Sequence, residues 1–189
     1  ILYLLSILMH PDNNEAIPLV FAGPESCRNY LQVLEQFLVD CLGQGVKRHY
    51  RVIVGAPEEV GRAIRAAIED VHARRRAAQQ AYYFNWELQI PADLQEPFSP
   101  THESMAALPL RADLPKYQLA STLRCAFSGI VAANVKTFGM GQVSQHGPYK
   151  LSGDRRYLSS MDQLLRVLVR EKRMKLSDGE YQPCYQLAD

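Results

Sequence analysis

Two short apolar runs, IPLVFAG (17–23) and RVIVG (51–55), flank a segment whose apolar residues recur at three- and four-residue steps. That order restricts the fold more than any other feature of the chain. Both runs have the length and residue types of strands buried on both faces. Between them, Cys27, Tyr30, Leu31, Leu34, Phe37, Leu38, Cys41 and Leu42 line one helical face, opened by Pro24, Glu25 and Ser26 and stopped at Gly43. After RVIVG, the segment APEEVGRAIRAAIEDVHARRRAAQQ forms a second helix. It carries Glu58 and Glu59 in its first turn and Arg74, Arg75 and Arg76 in its last, the charge order a helix dipole favours. Strands joined through a helix pair in parallel, which makes residues 1–80 part of an α/β sheet domain.

Two strands do not make a doubly wound sheet, so the remaining strands are expected before Ile1. The opening ILYLLSILM is apolar nearly all round, as in a buried helix already under way. The chain is expected to be a fragment of a longer protein.

The stretch AYYFNWELQIPADLQEPFSPTHESM (81–105) separates this part from the rest of the chain. Tyr82, Tyr83, Phe84 and Trp86 predict a seam of buried aromatics, and Pro91, Pro97 and Pro100 predict extended chain up to residue 100. Ser99 and Pro100 read as N-cap and first residue of a short helix ending near Pro109. A long helix is expected over roughly 115–138, with Leu119, Leu123, Phe127, Ile130, Val131, Val135 and Phe138 as its apolar stripe. Its middle, SGIVAA (128–133), is small enough for another backbone to approach closely. A turn and short extended piece at 146–154 precede a last amphipathic helix marked by Leu158, Met161, Leu164, Leu165, Leu168 and Val169. Arg166, Arg170 and Arg173 face mainly solvent, and YQPCYQL (181–187) reads as a closing strand. Residues 81–189 are therefore expected to be a mainly helical α+β unit.

The net charge of +1 on 189 residues gives no global field to recruit nucleic acid or a membrane surface. Cys27, Cys41, Cys125 and Cys184 have no CxxC spacing and imply free thiols in a reducing, cytoplasmic setting. The five histidines lack metal-ligand spacing, so no metal or other cofactor is expected.

Local basic clusters remain. Lys47, Arg48, His49 and Arg51 surround the entry to the second strand and suit a phosphate or carboxylate, or a solvated loop. Arg75 and Arg76 suit an anionic ligand or a subunit contact, beyond what the helix dipole needs. His102 and Glu103 suggest acid–base work, although a glutamate in a first turn is stabilising by itself. His146 and Lys150 flank a Gly-Pro turn able to present backbone amides and a cation together.

The ordered stretches ILYLLSILMHP, IPLVFAGP, KRHYRVIV, AYYFNW, PADLQEPFSPTHESMA, RCAFSGIVAANVK, HGPYKLSGD and RMKL carry a further reading. Over essentially its whole length the chain resembles the C-terminal portion of the bacterial pyrimidine/purine nucleotide 5′-monophosphate nucleosidases, large members of the Lonely Guy group of lysine-decarboxylase-like Rossmann proteins. The resemblance implies a Rossmann-like catalytic part (1–80) and a C-terminal cap or regulatory part (81–189). It implies hydrolysis of nucleoside monophosphates to free base and ribose 5-phosphate. It also implies a guanosine tetra- or pentaphosphate effector and a homo-oligomer, dimer or tetramer. The family's PGGxGTxxE segment, which would hold phosphate and supply the catalytic glutamate, is not within these residues. No catalytic residue is therefore assigned to the chain, and alone it is expected to be inactive. The alternative is a non-catalytic module that binds an anionic nucleotide.

Overall fold

A computed structural model of the chain describes residues 1–13, 17–84, 88–174, 176, 181 and 183–188. It is a mixed α/β structure with two small parallel sheets. The first helix, α1 (Leu2–Leu8), buries Leu5 to Leu8 but leaves Ile1 and Leu4 exposed, so it is apolar all round without being covered all round. Strand β1 (Val20–Gly23) leads through a 3-10 turn (Glu25–Cys27) into α2 (Arg28–Leu42). A second 3-10 turn (Gln44–His49) leads into β2 (Arg51–Val54), and α3 (Pro57–Ala77) comes next. β1 and β2 pair in parallel, Val20 opposite Arg51 and Gly23 opposite Val54, as the strand–helix–strand order requires.

Burial on both faces of β1 is not observed. Phe21 points inward and stacks on Tyr50 at 4.6 Å, while Ala22 is exposed. The strand therefore alternates, with α3 packed on the pair. Cys27 also departs from expectation: it is the N-cap of α2, half-buried at the helix entrance, not part of the buried stripe.

The aromatic seam is largely a surface turn. Tyr82 is 68% exposed and Phe84 54% exposed. Tyr82 sits at φ 54°, and this turn directs its ring outward, edge-on to Phe84. Tyr83 alone is partly covered, against His72. Trp86 lies outside the described residues. Extended chain up to residue 100 is interrupted by one helical turn, α4 (Ala92–Gln95), which Pro91 enters as N-cap because a proline costs nothing ahead of a first turn. Asn13 ties this stretch to the end of α1. Its amide donates to the carbonyls of Ile7 (3.0 Å) and Gln89 (2.6 Å), and its oxygen accepts from the Gln89 N–H (2.7 Å).

The N-cap of α5 (His102–Ala106) is Thr101, not Ser99. Thr101 accepts from the Ser104 N–H while the Ser104 hydroxyl accepts from the Thr101 N–H, a reciprocal capping box. The long helix expected to residue 138 ends earlier. α6 (Lys116–Val135) stops at Lys136, whose backbone is extended, and α7 (Thr137–His146) starts in a new direction. The break reflects Gly139, where a Cβ would meet the Ala132 backbone at 2.4 Å, so α7 folds tightly against the end of α6. Val135 and Phe138 are consequently exposed.

α6 is the central helix, packed by α1, α2, α5 and α7. Leu119, Leu123 and Ile130 are completely buried, each removal from water contributing about 1.5–3 kcal/mol. β3 (Tyr149–Leu151) pairs in parallel with β4 (Tyr185–Leu187), the expected closing strand. Between them α8 (Arg155–Arg170), capped by Asp154, buries Leu158, Met161, Leu164 and Leu165 as its spacing predicts. α8 packs along α2. One continuous buried cluster runs from Leu5 and Phe21 to Tyr149 and Cys184. No helix among the described residues is long and apolar enough to cross a membrane.

Candidate functional site

The parallel pairing of β1 and β2 creates two openings, one at each end of the strands. At the carboxyl ends lies a crevice of about 600 Å³, lined by Ala22, Gly23, Pro24, Glu25, Ile53, Gly55, Ala56, Pro57 and Val60. The Gly55 N–H donates to the Gly23 carbonyl (3.0 Å), closing the sheet at this point. Gly55 has φ 72°, and a Cβ there would stand 2.9 Å from Glu25 Oε2. The left-handed backbone favours glycine here, and any Cβ would push the Glu25 carboxylate aside. The Glu25 carboxylate thus hangs over the end of β2 while Arg28 grips it through Nε and Nη2, the latter at 2.7 Å. That hydrogen bonding holds Glu25 below the usual carboxylate range, so it is ionised at neutral pH.

In open parallel α/β sheets, ligands enter outside the carboxyl ends of the strands. The lining of this crevice is apolar apart from one carboxylate, Glu25. Such a lining suits a flat apolar ring and hydroxyl groups better than a phosphate, which the Glu25 carboxylate would repel.

At the amino ends lies a cleft of about 310 Å³. It gathers Arg48, His49, Arg51 and Arg74 with Asp70. Three of the residues predicted from the KRHYR cluster are therefore together, but at the end of the sheet opposite the crevice. Lys47 is not among them, since its ammonium lies 3.6 Å from Glu35 on α2. Partial burial, and the charge of Arg48, push the His49 imidazole below its ordinary value. Its Nε2 accepts from Arg48 Nε at 3.2 Å, which requires the neutral ring.

Arg75 and Arg76 turn onto the chain just after α3. Arg75 Nε donates to Gln80 Oε1 (2.8 Å), and Arg76 donates to the Tyr83 hydroxyl (2.9 Å) with its guanidinium 4.4 Å from that ring. His146 and Lys150 belong to neither opening. His146 stands edge-on to His102 (5.4 Å), whose Nε2 lies 2.8 Å from the Gly147 carbonyl. Lys150 is exposed between the buried Tyr149 and Leu151. Glu103 occupies the first turn of α5, where its charge is accounted for. No group of three His, Cys, Asp or Glu among the described residues is arranged to hold a metal ion.

Sequence reasoning misses Glu25 and Gly55 as site residues. The available signal is a glycine at the end of each run, Gly23 closing β1 and Gly55 directly after β2, marking where backbone must leave the sheet.

A family model described as pyrimidine/purine nucleotide monophosphate nucleosidase, C-terminal, matches residues 68–188. The chain is 45% identical over 188 residues to the pyrimidine/purine nucleotide 5′-monophosphate nucleosidases of Escherichia coli strain K12 and of Escherichia coli O157:H7. Each alignment covers 99% of this chain and 41% of the relative, so the chain spans about two-fifths of the length of these proteins.

Proposed function

Because the chain belongs to the pyrimidine/purine nucleotide monophosphate nucleosidase family, as its C-terminal region, we propose that it completes an enzyme hydrolysing the N-glycosidic bond of nucleoside 5′-monophosphates. In that reaction water attacks C1′ of the ribose, the bond from C1′ to the base nitrogen breaks, and the proton goes to the departing base. Free base and ribose 5-phosphate result. The transition state resembles an oxocarbenium ion, which a nearby carboxylate stabilises.

The contribution of this chain is the wall of the nucleotide site at the carboxyl ends of β1 and β2. The observation that carries this reading is the ionised Glu25 held by Arg28 at the rim of an apolar crevice. A carboxylate in that position accepts hydrogen bonds from ribose hydroxyls, while Ile53 and Val60 offer surface to the base. Residues 1–80 then form the C-terminal half of a Rossmann-like catalytic domain, and residues 81–189 a cap. The setting is a reducing cytoplasm. The phosphate-binding glycines and the catalytic glutamate belong to the PGGxGTxxE segment of the family.

The test is steady-state release of base from AMP, GMP and UMP by the full-length protein carrying Glu25→Gln. A rise in KM of about tenfold is expected from loss of a charge-assisted contact. Unchanged kcat and KM with all three nucleotides would overturn the reading.

A second reading concerns regulation. Three consecutive arginines end α3, and Arg75 and Arg76 converge on the Gln80–Tyr83 turn. Such a cluster suits an anionic nucleotide, a guanosine tetra- or pentaphosphate, bound at the junction of the two parts of a homo-oligomer.

A further inference from the structure

We propose that Arg173 is a positioning residue for the crevice, acting from beyond the end of α8 through the turn that carries Glu25. The inference rests on the reading of that crevice as the nucleotide site.

α8 ends at Arg170, and the chain then reverses sharply. Lys172 adopts φ 58°, and the N–H groups of Arg173 and Met174 both return to the Leu168 carbonyl, at 2.7 and 3.0 Å. The reversal lays Glu171 and Arg173 across the first turn of α2. Glu171 accepts from the Asn29 amide. The Arg173 guanidinium lies 4.0 Å from the centre of the Tyr30 ring, Nη2 donates to Cys27 Sγ at 2.8 Å, and Nε is 3.7 Å from Glu171. Three residues of one turn, Cys27, Asn29 and Tyr30, are thus held by two residues from the far end of the sequence.

What they hold is the link to Glu25. The Cys27 N–H donates to the Pro24 carbonyl (2.8 Å), closing the turn that contains Glu25. Cys27 also packs on the bare backbone of Gly23, where a Cβ would meet its Cβ at 3.0 Å and Sγ at 3.2 Å. Arg28, which grips the Glu25 carboxylate, is the next residue. Displacing Cys27 therefore shifts both the end of β1 and the guanidinium that aims Glu25. Misplacement of a contact by about 1 Å can cost a hundredfold in rate. Arg173 does not hold α8 and α2 together by itself, because buried apolar side chains of both helices meet along their length.

The experiment uses the full-length protein with AMP as substrate, and compares Arg173→Ala, Glu25→Gln and the double variant. Arg173→Ala is expected to lower kcat/KM about tenfold with a melting temperature within about 4 °C of the parent. In the Glu25→Gln background the same substitution should change kcat/KM less than about twofold, because its effect passes through Glu25. Should Arg173→Ala fail to fold, Arg173→Lys keeps the aliphatic stem and charge while losing the planar stack on Tyr30, and the same cycle is read with it. Losses that multiply in the double variant would overturn the proposal, as would a silent Arg173 beside a damaging Glu25→Gln. A silent Glu25→Gln would instead remove the reading of the crevice, and the proposal with it.

Discussion

Met105 of α5 seats its thioether against the backbone of Gly129 on α6, so closely that a Cβ added at Gly129 would meet Sδ at 2.3 Å and Cε at 2.7 Å. Met105 is completely buried, so its thioether must move within the core to admit that Cβ. Gly129→Ala is therefore expected to destabilise by about 1–3 kcal/mol through overpacking, less roughly 1 kcal/mol of helix propensity gained. At Gly139 the obstacle is the Ala132 backbone at 2.4 Å, which no rotamer change relieves. Gly139→Ala should lower the urea midpoint more than Gly129→Ala does. The reverse order would show that α7 moves freely relative to α6.

Asn13 makes a separate prediction about the joint between α1 and the 88–99 stretch. It is 2% exposed and satisfies one carbonyl in α1 together with both backbone groups of Gln89. Asn13→Ala removes two part-buried hydrogen bonds to the Gln89 backbone, worth about 0.5–1.5 kcal/mol each, while the Ile7 carbonyl keeps the His10 N–H at 3.1 Å. The Gln89 amide should lose protection in hydrogen exchange before the amides of α6 do. Equal protection in parent and variant would mean that the joint is held by other contacts.

These residues also show what the sequence could convey. The stripe of α2 and that of α8 were legible because helical spacing and burial coincide: Leu34, Leu38, Leu158 and Leu165 are core at the positions their periodicity predicts. The small-residue middle of α6 was legible as a close approach, though not that a methionine side chain would fill it. The aromatic run was misleading, since Tyr82 and Phe84 satisfy an apolar pattern yet follow a left-handed turn to the surface. The crevice was hidden for a different reason. Gly23, Glu25, Gly55 and Val60 meet only once β1 and β2 pair, and Glu25 alone reads as an ordinary first-turn acid. Arg173 continued the solvent-facing series of Arg166 and Arg170. Only the reversal at Lys172 turns it toward Cys27 and Tyr30.

His49 predicts a pH dependence. Burial and Arg48 lower its pKa in the fold below the ordinary 6.5, so the neutral ring is the one the structure favours. Above about pH 6.5 neither the folded nor the unfolded state binds the proton, and the contribution is fully present. As the pH falls from there toward the folded pKa, the unfolded chain takes up the proton first and stability declines. Protonation also removes the lone pair that accepts from Arg48 Nε. Urea midpoints measured from pH 8 to pH 5 should fall more steeply for the parent than for His49→Gln. Parallel curves would mean that His49 titrates alike in both states.

The last prediction separates ligand binding from local structure at Arg75 and Arg76. Gln80 and Tyr83 are among their partners, and the Arg76–Tyr83 stack is worth about 0.5–1 kcal/mol at an exposed site. If ordering this turn is their whole task, replacing both by alanine costs a little stability and no affinity for any nucleotide. If they hold an anionic effector, each charge-assisted contact contributes about 1.5–3 kcal/mol, and losing both weakens binding by about a hundredfold or more. Such a ligand regulates only by binding one arrangement of the cap better than another. Calorimetric titration of guanosine tetraphosphate into the full-length protein, parent against Arg75→Ala with Arg76→Ala, reads the difference directly. Tyr83→Phe serves as the structural control, because it removes the hydrogen bond to Arg76 and keeps the ring beneath it. An affinity within about twofold of the parent in the double alanine variant, with its oligomer intact, would return both arginines to the role of tying down the turn after α3.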